Sequence, residues 1–322
     1  MHASDSDDRE APVATGTGIE GRVAFITGGA SGVGLGQARV FGARGCRIAI
    51  ADVRPEAIDA ALETLAADGI DAHGVRLDVR DRAAWATAVD EVERHFADPI
   101  GLLFNTAGVN GFGPLESATY ADFDWVMGVN LGGVINGIQT VLPRMLAAGR
   151  GGYIVSVASM AGFEGSPSAA IYAASKAAVI NLMESYAMSL EPHGIGVSVL
   201  CPASVRSDIA NALDRRPTDL AEGSSFTDDP RFVELQRRLY AAGMDPIELA
   251  QHVLSAVENR RLYVLPFTET REGLRAHFDQ ILAAYDAYET DPAAAAERAS
   301  AFEEYRDRAR ALRAEGASSA VS

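Results

Sequence analysis

RVAFITGGASGVGLG, residues 22–36, decides the fold. Its first half, Val23 to Thr27, is an apolar run of the length of a buried strand. Its second half is a glycine-rich turn that opens a helical pattern. Thr27, Gly28, Ser31, Gly32, Val33 and Gly34 lie on that turn. Glycines there let the main chain approach a pyrophosphate and let helix and strand pack closely, while the helix N-terminus faces the negative charge. Glycines also serve ordinary turns; the strand before and the helix after give these ones their meaning.

Outward from this stretch the chain alternates short β-rich runs with longer amphipathic ones. The predicted strands are 22–27, 47–53, 74–79, 100–107, 152–159, 195–202 and 261–267, most of them continuously apolar. Helical patterns cover 55–67, 82–96, 119–148 and 172–191. Continuous apolar strands with helices between them predict an α/β, Rossmann-type doubly wound parallel sheet in a single domain, residues 20–267. Residues 206–245 break the rhythm with RRP, EGSS and TDDP, and read as a lid insertion or as a disordered one. Residues 268–322 read as a helical C-terminal extension that covers a sheet edge, embraces a partner subunit or is simply solvated. The polar, acidic residues 1–19 read as a disordered tail without the basic start and apolar block of a signal peptide.

The 322 residues are 48% hydrophobic and carry a formal net charge of −16. That is enough apolar material for one large core, and a charge that repels phosphate backbones and anionic membranes. No nucleic-acid or membrane partner is expected, and no apolar stretch of spanning length is read in the sequence. Cys46 and Cys201 lie far apart in strand-like runs, which suggests a reducing, cytoplasmic setting. The six histidines are scattered without ligand spacing, so no metal site is expected.

Asp52 ends the second strand, where an acidic side chain accepts hydrogen bonds from ribose hydroxyls and repels a 2′-phosphate; the expected cofactor is therefore NAD. Arg54 is close enough to complicate this, and Asp52 also fits as a helix N-cap before Arg54-Pro55. Val53 accompanies Asp52, Asp78 and Val79 are placed to meet the adenine, and Asn105, Ala107 and Gly108 to line the other side. Tyr172 and Lys176 share a helix face at i, i+4, and the ammonium is expected to draw the phenol below its ordinary pKa near 10. Ser159 ends the preceding strand with a hydroxyl for the substrate oxygen.

The ordered set TGxxxGxG, Asp52, Asn105-x-Ala107-Gly108, Asn130, Ser159 and Tyr172-x-x-x-Lys176 resembles the short-chain dehydrogenase/reductase family over about residues 20–267. The resemblance implies that Tyr172 exchanges the proton, Ser159 orients the substrate oxygen, Lys176 binds the nicotinamide ribose and tunes Tyr172, and Asn130 holds a water that links Lys176 to solvent. It places Pro202, Val205 and Ser207 along the nicotinamide, and it implies a homo-oligomer. Two positions depart from the family's pattern: Ala203 stands where glycine is usual and Thr106 where asparagine is frequent.

The stretches FNTAGVNGFGPLE, YADFDWVMGVNLGGVINGI and PFTETREGLRAHFDQIL further resemble the Cα-dehydrogenases of bacterial lignin β-aryl-ether degradation. This implies oxidation of a benzylic secondary alcohol of an arylglycerol β-aryl ether to a ketone, so the expected partner is a small aromatic secondary alcohol. Phe112, Phe163, Phe226, Tyr240 and Phe267 are expected near the nicotinamide end, at least two of them only packing the lid onto the sheet. The alternatives are an NADP-dependent ketone or 3-oxoacyl reductase, and a dinucleotide-binding regulator without turnover.

Overall fold

The strand that precedes the glycine turn, β1 (Val23–Thr27), is buried at every position, because it runs through the centre of the sheet with neighbours on both sides. The computed structural model describes residues 18–319 except 208, 223, 225 and 227–229. Residues 1–17 of the expected N-terminal tail lie outside these. Its last residue, Ile19, is buried and its carbonyl accepts from the Cys46 thiol, so the domain starts slightly earlier than the sequence indicates.

The other strands are β2 (Arg47–Asp52), β3 (Ala72–Arg76), β4 (Ile100–Asn105), β5 (Gly152–Val157), β6 (Ile195–Leu200) and β7 (Tyr263–Val264). They form one parallel sheet in the order β3-β2-β1-β4-β5-β6-β7. The direction of winding reverses between β1 and β4. That opens a crevice at the C-terminal strand ends, where sheets of this kind bind ligands.

Helices cover both faces. α1 (Gly32–Ala43), α2 (Pro55–Ala67) and α3 (Arg82–Phe96) each follow a strand, and the Asp81 carboxylate caps α3 by accepting from Ala83 and Ala84. The pattern read over 119–148 becomes α4 (Tyr120–Met127), one π-helical turn (Gly128–Gly132) and α5 (Gly133–Ala148). This 29-residue helical run is long and apolar enough to cross a membrane by length and composition, contrary to the sequence reading; half of its most apolar 18-residue window is buried, and Val134, Ile138, Val141 and Met145 belong to the core. α6 (Ala170–Leu190) lies against β6 on that same side of the sheet.

Residues 206–245 are not a plain loop. They contain a 3₁₀ segment (Ile209–Arg215), α7 (Thr218–Ala221) and α8 (Pro230–Ala241), joined to the sheet by a Val205–Met244 bridge. Phe226 buries itself with Trp125, Val126, Ile171 and Ala212 in a small separate apolar cluster. Burying one such ring contributes about 1.5–3 kcal/mol. α9 (Pro246–Glu258) returns the chain to the sheet beside α1 and leads into β7. Beyond β7 come α10 (Arg271–Ala283) and α11 (Pro292–Ser319), so the extension is helical as read. No residue of α10 is buried, and the large apolar side chains Phe302 and Tyr305 of α11 are exposed.

Candidate active site

The turn after β1 is held by its neighbours' main chain. Thr27 Oγ1 donates to the Phe104 carbonyl (3.2 Å) and accepts from the amides of Thr106 (2.9 Å) and Ala107 (3.1 Å). Gly28 has φ +63°, and a Cβ there would stand 2.9 Å from Ala107 Cα; a Cβ on Gly34 would stand 2.2 Å from the Gly28 carbonyl oxygen. Only glycine permits this approach. Ser31 occupies the N-cap of α1 without capping it, so the first-turn amides keep their donors for an anion. A Cβ on Gly32 would meet Ser207 at 3.4 Å, which brings the start of the lid against the turn. Val33 is half-buried against the core.

At the end of β2, Asp52 is buried and paired with Arg54, whose Nε is 3.0 Å from Oδ1 and whose Nη2 is 3.1 Å from Oδ2. The same Nη2 donates to Ser31 Oγ (3.1 Å). Arg215, from the lid, lies within electrostatic reach of both Asp52 and Arg54. The N-cap role considered for Asp52 is not taken up, since Arg54 is the N-cap residue of α2. Val53 beside it is half-exposed. Asp78 ends up paired with Arg80 (2.7 Å); burial would raise its carboxyl, but the hydrogen bonds from Arg80 outweigh this and hold it below the ordinary range.

Two expected cofactor contacts are turned elsewhere. The Val79 side chain packs against Gly133, and its carbonyl accepts from Trp85 Nε1 and Asn136 Nδ2, so its side chain is spent on the core. Asn105 is buried between β5 and α5, where Nδ2 donates to Ser156 Oγ (3.1 Å) and Oδ1 faces Gly137. Both side chains fall on the face of the sheet that α3 and α5 cover.

The catalytic candidates converge. Lys176 Nζ donates to the Val157 carbonyl (2.8 Å) and lies 5.5 Å from the Tyr172 ring centroid. Ala107 joins the turn, and a Cβ on Gly108 would be 3.5 Å from both Lys176 Nζ and Asn130 Oδ1. Asn130, in the π-helical turn, exchanges two 2.9 Å hydrogen bonds with the Val109 main chain and donates to Ser175 Oγ (3.1 Å). Ser159 Oγ hydrogen-bonds the Tyr172 hydroxyl, donates to the Pro202 carbonyl (3.4 Å) and accepts from Ala161 N (3.1 Å). Val205 is buried at the lid hinge, and Ser207 Oγ donates to its carbonyl (3.2 Å).

The electrostatics differ from the sequence expectation. Burial raises the Tyr172 phenol well above its ordinary value, with the Ser159 hydrogen bond opposing, and Lys176 does not lower it. The ammonium stands over the ring rather than beside the hydroxyl, and burial brings Lys176 itself down to about 8. Cys201, pushed up to about 12 by burial, is a neutral thiol in electrostatic reach of both.

Of the five aromatic rings, Phe226 packs the lid, Phe267 is in the core, and Phe163 meets Phe278 of the extension edge-on at 6.3 Å. Tyr240 lies within electrostatic reach of Tyr172, and Phe112 is half-buried in the loop after β4. Sequence reasoning missed the buried Arg216–Asp122 pair (2.5 Å), which ties the lid to α4 with Ser224 bonded to both partners and Trp125 under the guanidinium (5.3 Å). The only sequence trace was Asp122 at the third position of α4, which reads as half of a capping box with Thr119.

A bare glycine cradle, open amides at the α1 N-terminus and a buried acid at the end of β2 suit the phosphates and ribose of a dinucleotide, and the chain belongs to the short chain dehydrogenase family, whose profile matches residues 22–218. It is an oxidoreductase of the kind that uses a nicotinamide dinucleotide. The chain is 49% identical over 299 residues to the C alpha-dehydrogenase of Sphingobium sp. (strain NBRC 103272 / SYK-6), covering 92% of this chain and 97% of that one. Its structure is similar to apo LigD from Sphingobium sp. strain SYK-6 (TM-score 0.71, 46% identity, covering 85% of this chain and 100% of that one). It is also similar to a short chain dehydrogenase/reductase from Burkholderia phymatum in complex with NAD (TM-score 0.79, 34% identity, covering 85% and 98%).

Proposed function

We propose that this enzyme oxidises the benzylic secondary alcohol of an arylglycerol β-aryl ether to the corresponding aryl ketone, with NAD as its cofactor. The observation that carries this is the Ser159–Tyr172–Lys176 set, with Ser159 and Lys176 buried and Tyr172 half-buried, packed against an apolar, aromatic-bearing lid cluster. The near full-length likeness to a C alpha-dehydrogenase supports the substrate class. The acceptor for the hydride would be supplied by the bound nicotinamide dinucleotide. Ser159 and Tyr172 hold the reacting hydroxyl, Tyr172 passes on its own phenolic proton as it receives the alcohol's while the carbon–hydrogen bond is broken, Lys176 relays a proton toward solvent, and Asn130 holds that path in place. The lid cluster excludes water and faces the aryl groups.

Gly28, Ser31, Gly32 and Gly34 cradle the phosphates, Asp52 takes the ribose hydroxyls, and Ala107, Gly108, Pro202, Val205 and Ser207 flank the nicotinamide half. Asp52 favours NAD, and Arg54 moderates the preference by neutralising part of the charge a 2′-phosphate would meet. The expected margin in kcat/KM is about tenfold over NADP, a difference of about 1.4 kcal/mol. Asp52→Ala narrows it. Equal efficiency with both cofactors, or a preference for NADP, favours the reductase alternative.

Steady-state kinetics on a benzylic β-aryl ether, 2-butanol and a short 3-hydroxyacyl thioester test the substrate. The ether is expected to have the highest kcat/KM. A higher value for either of the others removes the aryl-ether reading, and turnover of none of them leaves a dinucleotide binder.

A further inference from the structure

Above the Ser159–Tyr172 pair, the loop after β4 meets the inner face of α8. Tyr240 lies close enough to Tyr172 to influence its proton affinity. The Asn110 carboxamide pairs with the Tyr240 hydroxyl and opposes the rise that burial imposes on it. Gln236 precedes Tyr240 by one helical turn and so shares its face. Asn110 is 3% exposed and Gln236 6% exposed.

Asn110 Oδ1 and Gln236 Oε1 are both buried with no hydrogen-bond partner. Buried acceptors are ordinarily satisfied, so two of them on the same roof need an explanation. Neither is needed for the proton path through Tyr172 and Lys176, and neither belongs to the dinucleotide cradle. Both atoms are acceptors, and no formal charge accompanies them in Asn110, Gln236 and Tyr240. That chemistry rejects a carboxylate or a phosphate and selects a neutral donor, an alcohol or phenol hydroxyl.

We infer that Asn110, Gln236 and Tyr240 form a recognition site for a second hydroxyl of the substrate, distinct from the one oxidised. The site makes the enzyme selective for a diol: the reacting hydroxyl lies on Ser159 and Tyr172, and a second one, two carbons along the chain, donates to the roof. In the aryl-ether class this is the terminal carbinol of the glycerol unit, and the inference rests on the aryl-ether reading. A site built to receive a hydroxyl discriminates strongly against an analogue lacking it, because the protein acceptors are then left dry and unpaired.

The test compares two benzylic β-aryl ethers that differ only in the terminal CH₂OH, using the full-length enzyme with NAD. Wild type is expected to favour the carbinol compound in kcat/KM by about ten- to a hundredfold. In Gln236→Leu, and independently in Asn110→Leu, that ratio is expected to collapse to within about threefold, because the apolar side chain has nothing to offer the hydroxyl. Equal rates on the two ethers by wild type overturn the inference while leaving the aryl-ether reading intact. So does a general fall in both variants that preserves the wild-type ratio, since that is what a purely structural role produces. Turnover of neither ether, with other secondary alcohols oxidised, removes the aryl-ether reading and this inference with it.

Discussion

The turn after β1 and the segment 206–245 form opposite walls of one crevice, and they are built on different principles. The turn is fixed by main chain: Thr27 bridges two strands, and Gly34 admits a carbonyl where any side chain would collide. The lid is fixed by a handful of side chains: the Arg216–Asp122–Ser224 knot, an Arg206–Asp245 pair at its base, and Phe226 set into its own small apolar cluster. It reaches across the crevice, with Arg215 near Asp52 and Arg54, and Asp219 near Arg80. A dinucleotide presents one shape and is served by a rigid wall. A substrate must enter and a product leave, which a wall closed by few contacts allows.

The largest expected effect lies between the two walls, on α6. Tyr172→Phe removes the phenol but keeps the ring, and turnover should fall by about 10²–10⁴-fold or more while dinucleotide binding, followed by fluorescence titration, stays near wild type. Turnover near wild type would break the assignment of the proton transfer to Tyr172.

A second effect concerns charge buried beneath it. Lys176 has a folded pKa of about 8 against an ordinary 10.5, so between those values the unfolded chain binds a proton the fold has released. Stability therefore rises with pH through this window and is lost as pH falls through 8. Urea unfolding of wild type and Lys176→Met without cofactor should show wild type gaining about 3 kcal/mol relative to the variant from pH 8 to 10.5. A constant difference would mean that Lys176 is not desolvated.

The smallest effect belongs to the lid. Arg216→Met leaves Asp122 buried without its cation, a change worth about 3–5 kcal/mol where the whole fold must bear it. Here local opening relieves it. The expected outcome is faster hydrogen exchange over 209–221, a KM raised about tenfold, and little change in the midpoint of global unfolding. Loss of global stability without faster local exchange would show that lid and domain open as one unit. In wild type the same amides are expected to slow when dinucleotide and alcohol bind.

Helices α2 and α3 begin and end where their apolar periodicity and flanking residues place them, at 55–67 and 82–96, because those signals are local. Strand ends were less legible. β3 runs 72–76 instead of 74–79, since β2, its one partner among the described residues, ends with Asp52 opposite Arg76; β7 keeps two residues of seven because, among the described residues, it pairs with β6 at Val199 and Leu200. The same holds for the site. Thr27, the glycines, Ser159, Tyr172 and Lys176 were readable because each lies at a fixed offset within a strand–turn–helix unit. Asn110, Gln236 and the Arg216–Asp122 pair were not, because the residues that meet are about a hundred positions apart, as the 94 between Arg216 and Asp122 illustrate.

By itself, then, the sequence determined the parallel α/β layout and the glycine turn after β1 through short-range stereochemistry, and it put forward the candidate catalytic residues through a family resemblance. Only the tertiary structure decided that Asn105 and Val79 serve the core, that Arg54 occupies the Asp52 carboxylate, and that Tyr172 is raised rather than lowered. Those outcomes depend on burial and on which way each side chain turns in the folded chain, and desolvation, unlike periodicity, does not exist until the chain has closed on itself.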